Sequence, residues 1–311
     1  MTWWLNTYGT EHLKATTLAS YRSMAKGHVI LGLGATPLAA LTPKHVADWQ
    51  AQVAQKITRR KTVISSKRVL NARVMLHAAL QEAVRLSLLP SNPVAKVRAP
   101  KVSSKPVDSF TRAQVGALMA KAAGHPLEPL LATAWQTGMR LGELCGLRWG
   151  DVDLDAGTVR VARTAASIGG PVFMQDPKTE KSVRTIALPR ATGAVLTAHR
   201  ARQGEQRLRK GPAWQEHDLV FPTGLGTALH AGRVEKVFNA LRDAAALPAH
   251  SFHVLRHSYA SLALLAGVPL EIVSENLGHR DISFTKRVYA HVLLEAKHAG
   301  ADLMDAVIRR A

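Results

Sequence analysis

Leu277-Gly278-His279-Arg280-Asp281-Ile282-Ser283-Phe284-Thr285-Lys286-Arg287-Val288-Tyr289-Ala290-His291 is the stretch that gives the rest of the sequence its meaning. A phenol alone is a poor nucleophile, because its pKa is about 10. Tyr289, however, has company. Some thirty residues earlier stands His253-Val254-Leu255-Arg256-His257, whose spacing lets His253, Arg256 and His257 share one helical face. Farther upstream, Thr137-Gly138-Met139-Arg140-Leu141-Gly142-Glu143 adds a second arginine, with Glu143 three residues on to orient it by an ion pair. A guanidinium that is buried needs an anion. A phenol flanked by two arginines and two histidines points to attack on a phosphodiester.

Taken singly, these motifs have plainer readings. A pair of histidines on a helix is more often structural than catalytic, and an Arg140–Glu143 pair is a common helix-surface feature. Metal chemistry finds little support. A zinc helix of the His-Glu-x-x-His type needs glutamate directly after the first histidine, where this sequence has Val254. Asp151, Asp153 and Asp155 alternate in a turn, which suits capping better than magnesium binding. Other nucleophile or phosphate-binding signatures are missing: there is no Gly-x-Ser-x-Gly elbow, no Walker loop and no Gly-x-Gly-x-x-Gly. Gly32-Leu33-Gly34 reads as a turn. Tyr259, the rival phenol, lies in the apolar run from Tyr259 to Leu265, which core packing explains better. His257 reads as a histidine that supports the catalytic groups or packs, rather than as a catalyst.

Composition agrees with a polyanionic partner. Among 311 residues, 41 are Lys or Arg against 22 acids, a formal charge of +19. Residues 1–100 carry 14 basic and 3 acidic side chains, so the N-terminal third holds more than half of the excess. The remainder mixes both signs, as an enzyme surface does. An apolar fraction of 47% with only 5% aromatics suits a helix-rich, Ala/Leu-dominated chain. No apolar run reaches the length of a membrane span, and the N-terminus lacks the pattern of a secretory signal. The single cysteine, Cys145, cannot form an intramolecular disulfide, fits a reducing cytoplasm and reads as a small core residue.

The pattern along the chain predicts a helical domain over 1–100, a linker over 101–109 and a longer domain over 110–311. In the first, Thr17 to Tyr21 looks like a helix start. Thr42-Pro43 reads as an N-cap followed by a first-turn proline, and Ser65 or Ser66 as the cap of a helix with Val69, Leu76, Leu80 and Val84 on one face. Arg59, Arg60, Lys61, Lys67, Arg68 and Arg73 cluster in the approach and first turns of that helix, where they can lie on DNA phosphates. Prolines 90, 93, 100 and 106 interrupt helical structure before Thr111 caps the next helix. Short strands are expected at Thr158–Val161, near Val172–Gln175 and near Val183–Leu188, the last two joined by a turn through Pro177-Lys178-Thr179-Glu180. Helices then return to the end.

In order and in approximate spacing, Thr137-Gly138-x-Arg140-x-x-Glu143, His253-x-x-Arg256-His257, Leu277-Gly278-His279 and Tyr289-x-His291 resemble the tyrosine recombinases, the phage-integrase family of site-specific DNA recombinases. The resemblance covers nearly the whole chain. The basic segment 16–98 looks like the family's core-DNA-binding domain and ends in a similar Leu89-Pro90-Ser91-Asn92-Pro93. What this implies is a mainly α fold with a small antiparallel β-sheet. A helical SAM-like core-binding domain would precede an α+β catalytic domain, the two forming a C-shaped clamp around DNA. Arg140 and Arg256 would hold the non-bridging oxygens of the scissile phosphate. Tyr289 would attack phosphorus to leave a 3′-phosphotyrosine and a free 5′-hydroxyl. Lys178, favoured over Lys181, would protonate the leaving oxygen. His253 would assist proton transfer from the tyrosine, and His279 would hydrogen-bond a phosphate oxygen.

The same resemblance implies no cofactor or metal, duplex DNA as partner, a monomer in solution that forms a homotetramer on synapsed sites, DNA-bending accessory proteins, and a cytoplasmic, nucleoid-associated location. The apolar tail through Val292, Leu293, Leu294, Leu303, Met304, Val307 and Ile308 would dock on a neighbouring protomer. Two departures stand out. His279 and Tyr289 are ten residues apart, one more than in several members. The chain also opens at Met1-Thr2-Trp3-Trp4-Leu5, where the core-binding domain starts, which implies either an arm-less member or a truncated one. The leading reading is integration or excision of a phage or other mobile element. The alternatives are resolution of chromosome or plasmid dimers, a topoisomerase-like monomer, and a catalytically idle DNA-binding regulator.

Overall fold

A computed structural model describes residues 1–58, 61–102, 107–175, 183–290 and 292–294. Arg59, Arg60, Lys178, Lys181, His291 and the tail residues Leu303, Met304, Val307 and Ile308 lie outside the described residues, as do positions 103–106 of the expected linker. Contacts divide the chain into two units, Met1–Lys105 and Pro106–Ala311.

The first unit is built from α1 (Thr2–Asn6), α2 (Tyr8–His12), α3 (Ala15–Met24), α4 (Ile30–Leu33), α5 (Pro43–Gln55) and α6 (Ser66–Arg85). Helix α3 begins two residues before the expected Thr17, and the helical stretch ends at Gly32-Leu33-Gly34, where Gly32 and Leu33 close α4 and the turn starts at Gly34. The Thr42 cap of α5 is a full capping box: its side chain accepts from His45 N–H, and the His45 ring accepts from Thr42 N–H. Ser65 caps α6 by accepting from Arg68 N–H. Such a cap contributes about 1 kcal/mol. Burying each of Val69, Met75, Leu76 and Leu80 contributes about 1.5–3 kcal/mol, so the apolar stripe of α6 outweighs its cap in fixing the helix. That stripe packs with Trp49, Val46, Val53 and Leu18 into one core, where Trp49 Nε1 donates to the His28 carbonyl at 3.0 Å.

The second unit contains α7 (Arg112–Ala122), α8 (Glu128–Thr137), α9 (Leu141–Cys145), β1 (Val152–Asp153), β2 (Thr158–Val161), β3 (Thr164–Ser167), β4 (Val172–Gln175), β5 (Arg184–Ala187), α10 (Arg190–Lys210), α11 (Ala231–Ala244), α12 (Val254–Leu265), α13 (Leu270–Leu277) and α14 (Ile282–Val288). Helix α8 is buried on most sides, and its two threonine hydroxyls are satisfied within the helix. The Thr133 hydroxyl donates to the Pro129 carbonyl and the Thr137 hydroxyl to the Thr133 carbonyl. The main core gathers Phe110, Leu118, Leu130, Leu131, Leu144, Ile186, Phe238 and Leu255. A smaller one holds Ala260, Leu264, Val273, Leu277, Tyr289 and Val292.

The strands correct the expected topology. Five are present among the described residues, not three, and they form two sheets: β1-β2-β5, antiparallel, and the hairpin β3-β4. The strands on either side of the Lys178 segment therefore pair with different partners, β4 with β3 and β5 with β2, and not with each other. The side-chain period of two does the rest. Ile186 and Arg184 both face inward on β5, opposite Val159 and Val161 of β2. No helix among the described residues is long and apolar enough to cross a membrane.

Candidate active site

The site assembles at the C-terminal ends of two helices. Helix α8 stops at Gly138 with φ +66° and α13 stops at Gly278 with φ +62°, the left-handed cap that glycine adopts without a Cβ clash. A helix C-terminus leaves carbonyls without intrahelical donors and carries partial negative charge. Here arginines take them. Arg184 Nε donates to the Asn276 carbonyl at 2.7 Å, Arg256 Nη2 to the Leu277 carbonyl, and Arg140 Nη2 reaches the Gly278 carbonyl at a long 3.4 Å. Three successive carbonyls thus meet three different guanidinium groups. Arg256 also donates from Nη1 to the Gly138 carbonyl at 2.8 Å, which ties the two helix ends together.

Glu143 collects two of these cations. Its Oε1 accepts from Arg140 Nη1 (2.8 Å) and Arg184 Nη1 (3.2 Å), and its Oε2 from Arg184 Nη2 (2.8 Å) and the Arg140 backbone N–H (2.8 Å). Four donors match the acceptor capacity of a carboxylate. Burial opposes the charged form of Glu143, but Arg184 and then Arg140 outweigh it and bring the pKa down to about 2. Arg256 has the opposite problem. It is 3% exposed, and burial, followed by repulsion from Arg140, lowers it to about 9.

Around the arginines stand the histidines. His279 Nδ1 lies 2.7 Å from Thr285 Oγ1, which itself donates to Ser274 Oγ, so Nδ1 carries the proton and Nε2 accepts from Arg256 Nη2 at 3.0 Å. Burial, then Arg256 and Arg140, lower His279 to about 3 and keep it neutral. Donation from Nε2 to a phosphate oxygen, the role implied by the resemblance, therefore needs the proton moved to the other nitrogen. His253 is the N-cap residue of α12 and is exposed, yet partial desolvation and then Arg256 lower its pKa. Its ring meets that of His257 edge-on at 4.7 Å.

Tyr289 is the C-cap residue of α14 and is only 1% exposed. Its hydroxyl lies 2.8 Å from His257 Nδ1. Burial raises its pKa to about 12 despite Arg256, while burial and His253 lower His257 to about 4. A neutral imidazole therefore faces a neutral phenol. The sequence reading of His257 as a supporting or packing histidine left its partner open, because the contact spans 32 positions and two helices. Arg184 was missed. The alternation Arg184-Thr185-Ile186 was the available signal, since it puts an arginine on the inward face of a strand.

Arg140, His253, Arg256, His279 and Tyr289 thus lie in one neighbourhood of the second unit. Among the expected DNA-contacting residues, Lys61, Lys67 and Arg68 are exposed. Arg73 departs from that expectation: it is half-buried and its Nη2 donates to the carbonyls of Val94 and Val97, so it braces the turn after α6. Tyr259 packs its ring beside Gly138, and its hydroxyl accepts from Asn276 Nδ2 at 2.8 Å. Cys145 is buried, and burial pushes its thiol up to about 12. Asp153 Oδ1 caps the turn to Ala156, and Asp151 pairs with Arg163.

Comparison with known proteins places these observations. An integrase of Streptomyces ambofaciens is 32% identical across 99% of this chain and 79% of its own length. A tyrosine recombinase XerC-like protein of Caldanaerobacter subterraneus is 33% identical over 64% of this chain, an alignment that spans about half (54%) of that protein. A putative prophage phiRv2 integrase of Mycobacterium tuberculosis is 29% identical across 89% of this chain and 69% of its own length. In three dimensions the fold resembles the Tn1549 transposon integrase in complex with transposon right-end DNA, with a TM-score of 0.77 and 19% identity over 97% of this chain and 98% of that one. It also resembles lambda integrase, solved as a tetramer bound to a Holliday junction, with a TM-score of 0.67 and 22% identity over 92% of this chain and 74% of that one. The N-terminal SAM-like domain of phage integrases matches residues 1–53. The phage integrase family itself matches residues 109–295, more than half of the sequence, and the chain belongs to that family, the tyrosine recombinases, which cleave and rejoin DNA strands.

Proposed function

We propose that this chain is the integrase of a phage or other mobile element and that Tyr289 is its nucleophile. The observation that carries the assignment is the gathering of Arg140, Arg256 and His279 at the carbonyl ends of α8 and α13, in the same small neighbourhood as Tyr289. Arg140 and Arg256 hold the non-bridging oxygens of the scissile phosphate, and their fixed charge stabilises what builds on those oxygens in the transition state. The Tyr289 oxygen forms a bond to phosphorus as the bond to the 5′-oxygen breaks. The phenol proton leaves by way of a histidine, and Lys178 supplies a proton to the 5′-oxygen. The 3′-phosphotyrosine retains the bond energy, so rejoining needs no ATP. A tyrosine 1% exposed does not meet an incoming phosphate, so DNA docking has to open the Tyr289–His257 contact.

The integrase names of the Streptomyces and Mycobacterium relatives support a mobile-element role, while the XerC-like relative supports dimer resolution as the second reading. The lambda integrase tetramer on a Holliday junction supports a tetramer on two duplexes as the working assembly. The first unit, with Lys61, Lys67 and Arg68 exposed, is the candidate duplex-holding domain.

Nicked duplexes bearing candidate sites test the chemistry. The wild-type chain is expected to form a covalent protein–DNA adduct, and Tyr289→Phe to form none. An adduct that persists in Tyr289→Phe overturns the assignment.

A further inference from the structure

We infer that Arg184 is a positioning residue for strand cleavage, setting the charge and orientation of Arg140 through Glu143 without touching DNA. The inference rests on the assignment of Arg140 and Arg256 to the scissile phosphate. Arg184 is about as buried as Arg256, and its role follows from its partners: Nε, Nη1 and Nη2 all donate within the protein, to the Asn276 carbonyl and to Glu143. It is held on the inward face of β5, where Ile186 is its neighbour on the same side. An arginine in that register is costly unless it is well paired, and this one is engaged on two elements that carry the site. From Nε it holds the Asn276 carbonyl, two residues before Gly278, and from Nη1 and Nη2 it forms a fork on Glu143. The turn that presents His279 and the carboxylate that steers Arg140 therefore share one anchor.

Charge gives this anchor its functional consequence. Summed over these four groups alone, Arg140, Arg184 and Arg256 against Glu143 give +2. Without Arg184 the same groups carry +1, because Glu143 then cancels one of the two phosphate-facing guanidiniums. A phosphodiester carries one negative charge and gains more on its equatorial oxygens as the nucleophile adds, so the second positive charge acts mainly in the transition state. Arg184 lets Glu143 orient Arg140 without neutralising the site. Space at this point is also closed: a Cβ at Gly278 would lie 2.9 Å from Arg184 Nη1.

Single-turnover cleavage of a nicked duplex at saturating protein tests this, with DNA affinity and thermal unfolding measured on the same preparations. Arg184→Gln is expected to slow adduct formation by about 100-fold, with DNA affinity changed by less than about threefold. Arg184→Lys, which restores the charge but not the fork, should recover about tenfold of that loss. The discriminating measurement is the combination with Glu143→Gln, which removes the carboxylate that Arg184 offsets. If Arg184 acts through Glu143, adding Arg184→Gln to that variant costs less than about threefold further. Full multiplication of the two losses, or Arg184→Gln cleaving within about threefold of wild type, overturns the proposal. Should Arg184→Gln fail to fold, Arg184→Lys carries the test alone, and a wild-type cleavage rate in that variant overturns it. A wild-type chain that forms no adduct at any site, or an Arg140→Lys chain of undiminished rate, contradicts the underlying assignment instead.

Discussion

Glu143 sits where burial and charge pull in opposite directions, and pH exposes the balance. Its folded pKa of about 2 lies below the usual carboxylate value, so its contribution to stability is fully present above about pH 4.5 and is lost as pH falls toward 2. That difference corresponds to on the order of 3 kcal/mol. Urea unfolding of the wild type between pH 5 and 2.5 should therefore fall more steeply than that of Glu143→Gln. Parallel pH slopes would show that the carboxylate is not held ionised. At this scale the sequence was partly readable. Arg140 and Glu143 are three residues apart, and a single turn of helix brings them together. Arg184 joins the same carboxylate from 41 positions away, and only the pairing of β5 with β2 places it there.

Gly138 caps α8 at the site, whereas Gly267 lies just past Ala266, the C-cap of α12. Gly138 and Gly267 both have positive φ, +66° and +83°, but their surroundings differ. A Cβ on Gly138 would fall 2.4 Å from the Tyr259 ring, whereas nothing lies within 4 Å at Gly267. Gly267→Ala is expected to cost only the left-handed strain, about 1 kcal/mol. Gly138→Ala adds a clash and should cost at least about 2 kcal/mol, lowering Tm by roughly 4–8 °C and impairing cleavage, because the Gly138 carbonyl holds Arg256. Thermal melts of the two variants side by side check this, and equal losses would contradict it. Helix starts were legible wherever Thr42, Ser65 or Thr111 offered a cap. The strands were less so. Thr164-Ala165-Ala166-Ser167 lacks a strong apolar alternation, and Val152-Asp153 is too short to show one, so β3 and β1, the partners of β4 and β2, were hidden.

Across the whole molecule, charge separates what binds from what braces. The chain carries +19, and its first hundred residues hold most of the excess. Duplex affinity should therefore fall steeply with salt, by about 10³–10⁵ between 50 and 200 mM for six to ten phosphate contacts. Lys67→Ala and Arg68→Ala should each make the logarithmic salt slope shallower by about one. Arg73→Ala, whose guanidinium braces a turn, should leave the slope unchanged and lower the unfolding temperature. An unaltered slope in all three would remove α6 from the duplex interface. The same sorting applies inside the second unit, where Arg256 is buried beside Arg140 and held well below its usual pKa. Natural proteins sit near a stability threshold, and many substitutions raise them above it. A search for hardier variants, run without DNA, would be drawn to this arginine early, since a neutral amide that still donates to the Gly138 and Leu277 carbonyls would relieve both burial and repulsion. The variants it retained would be robust and inert.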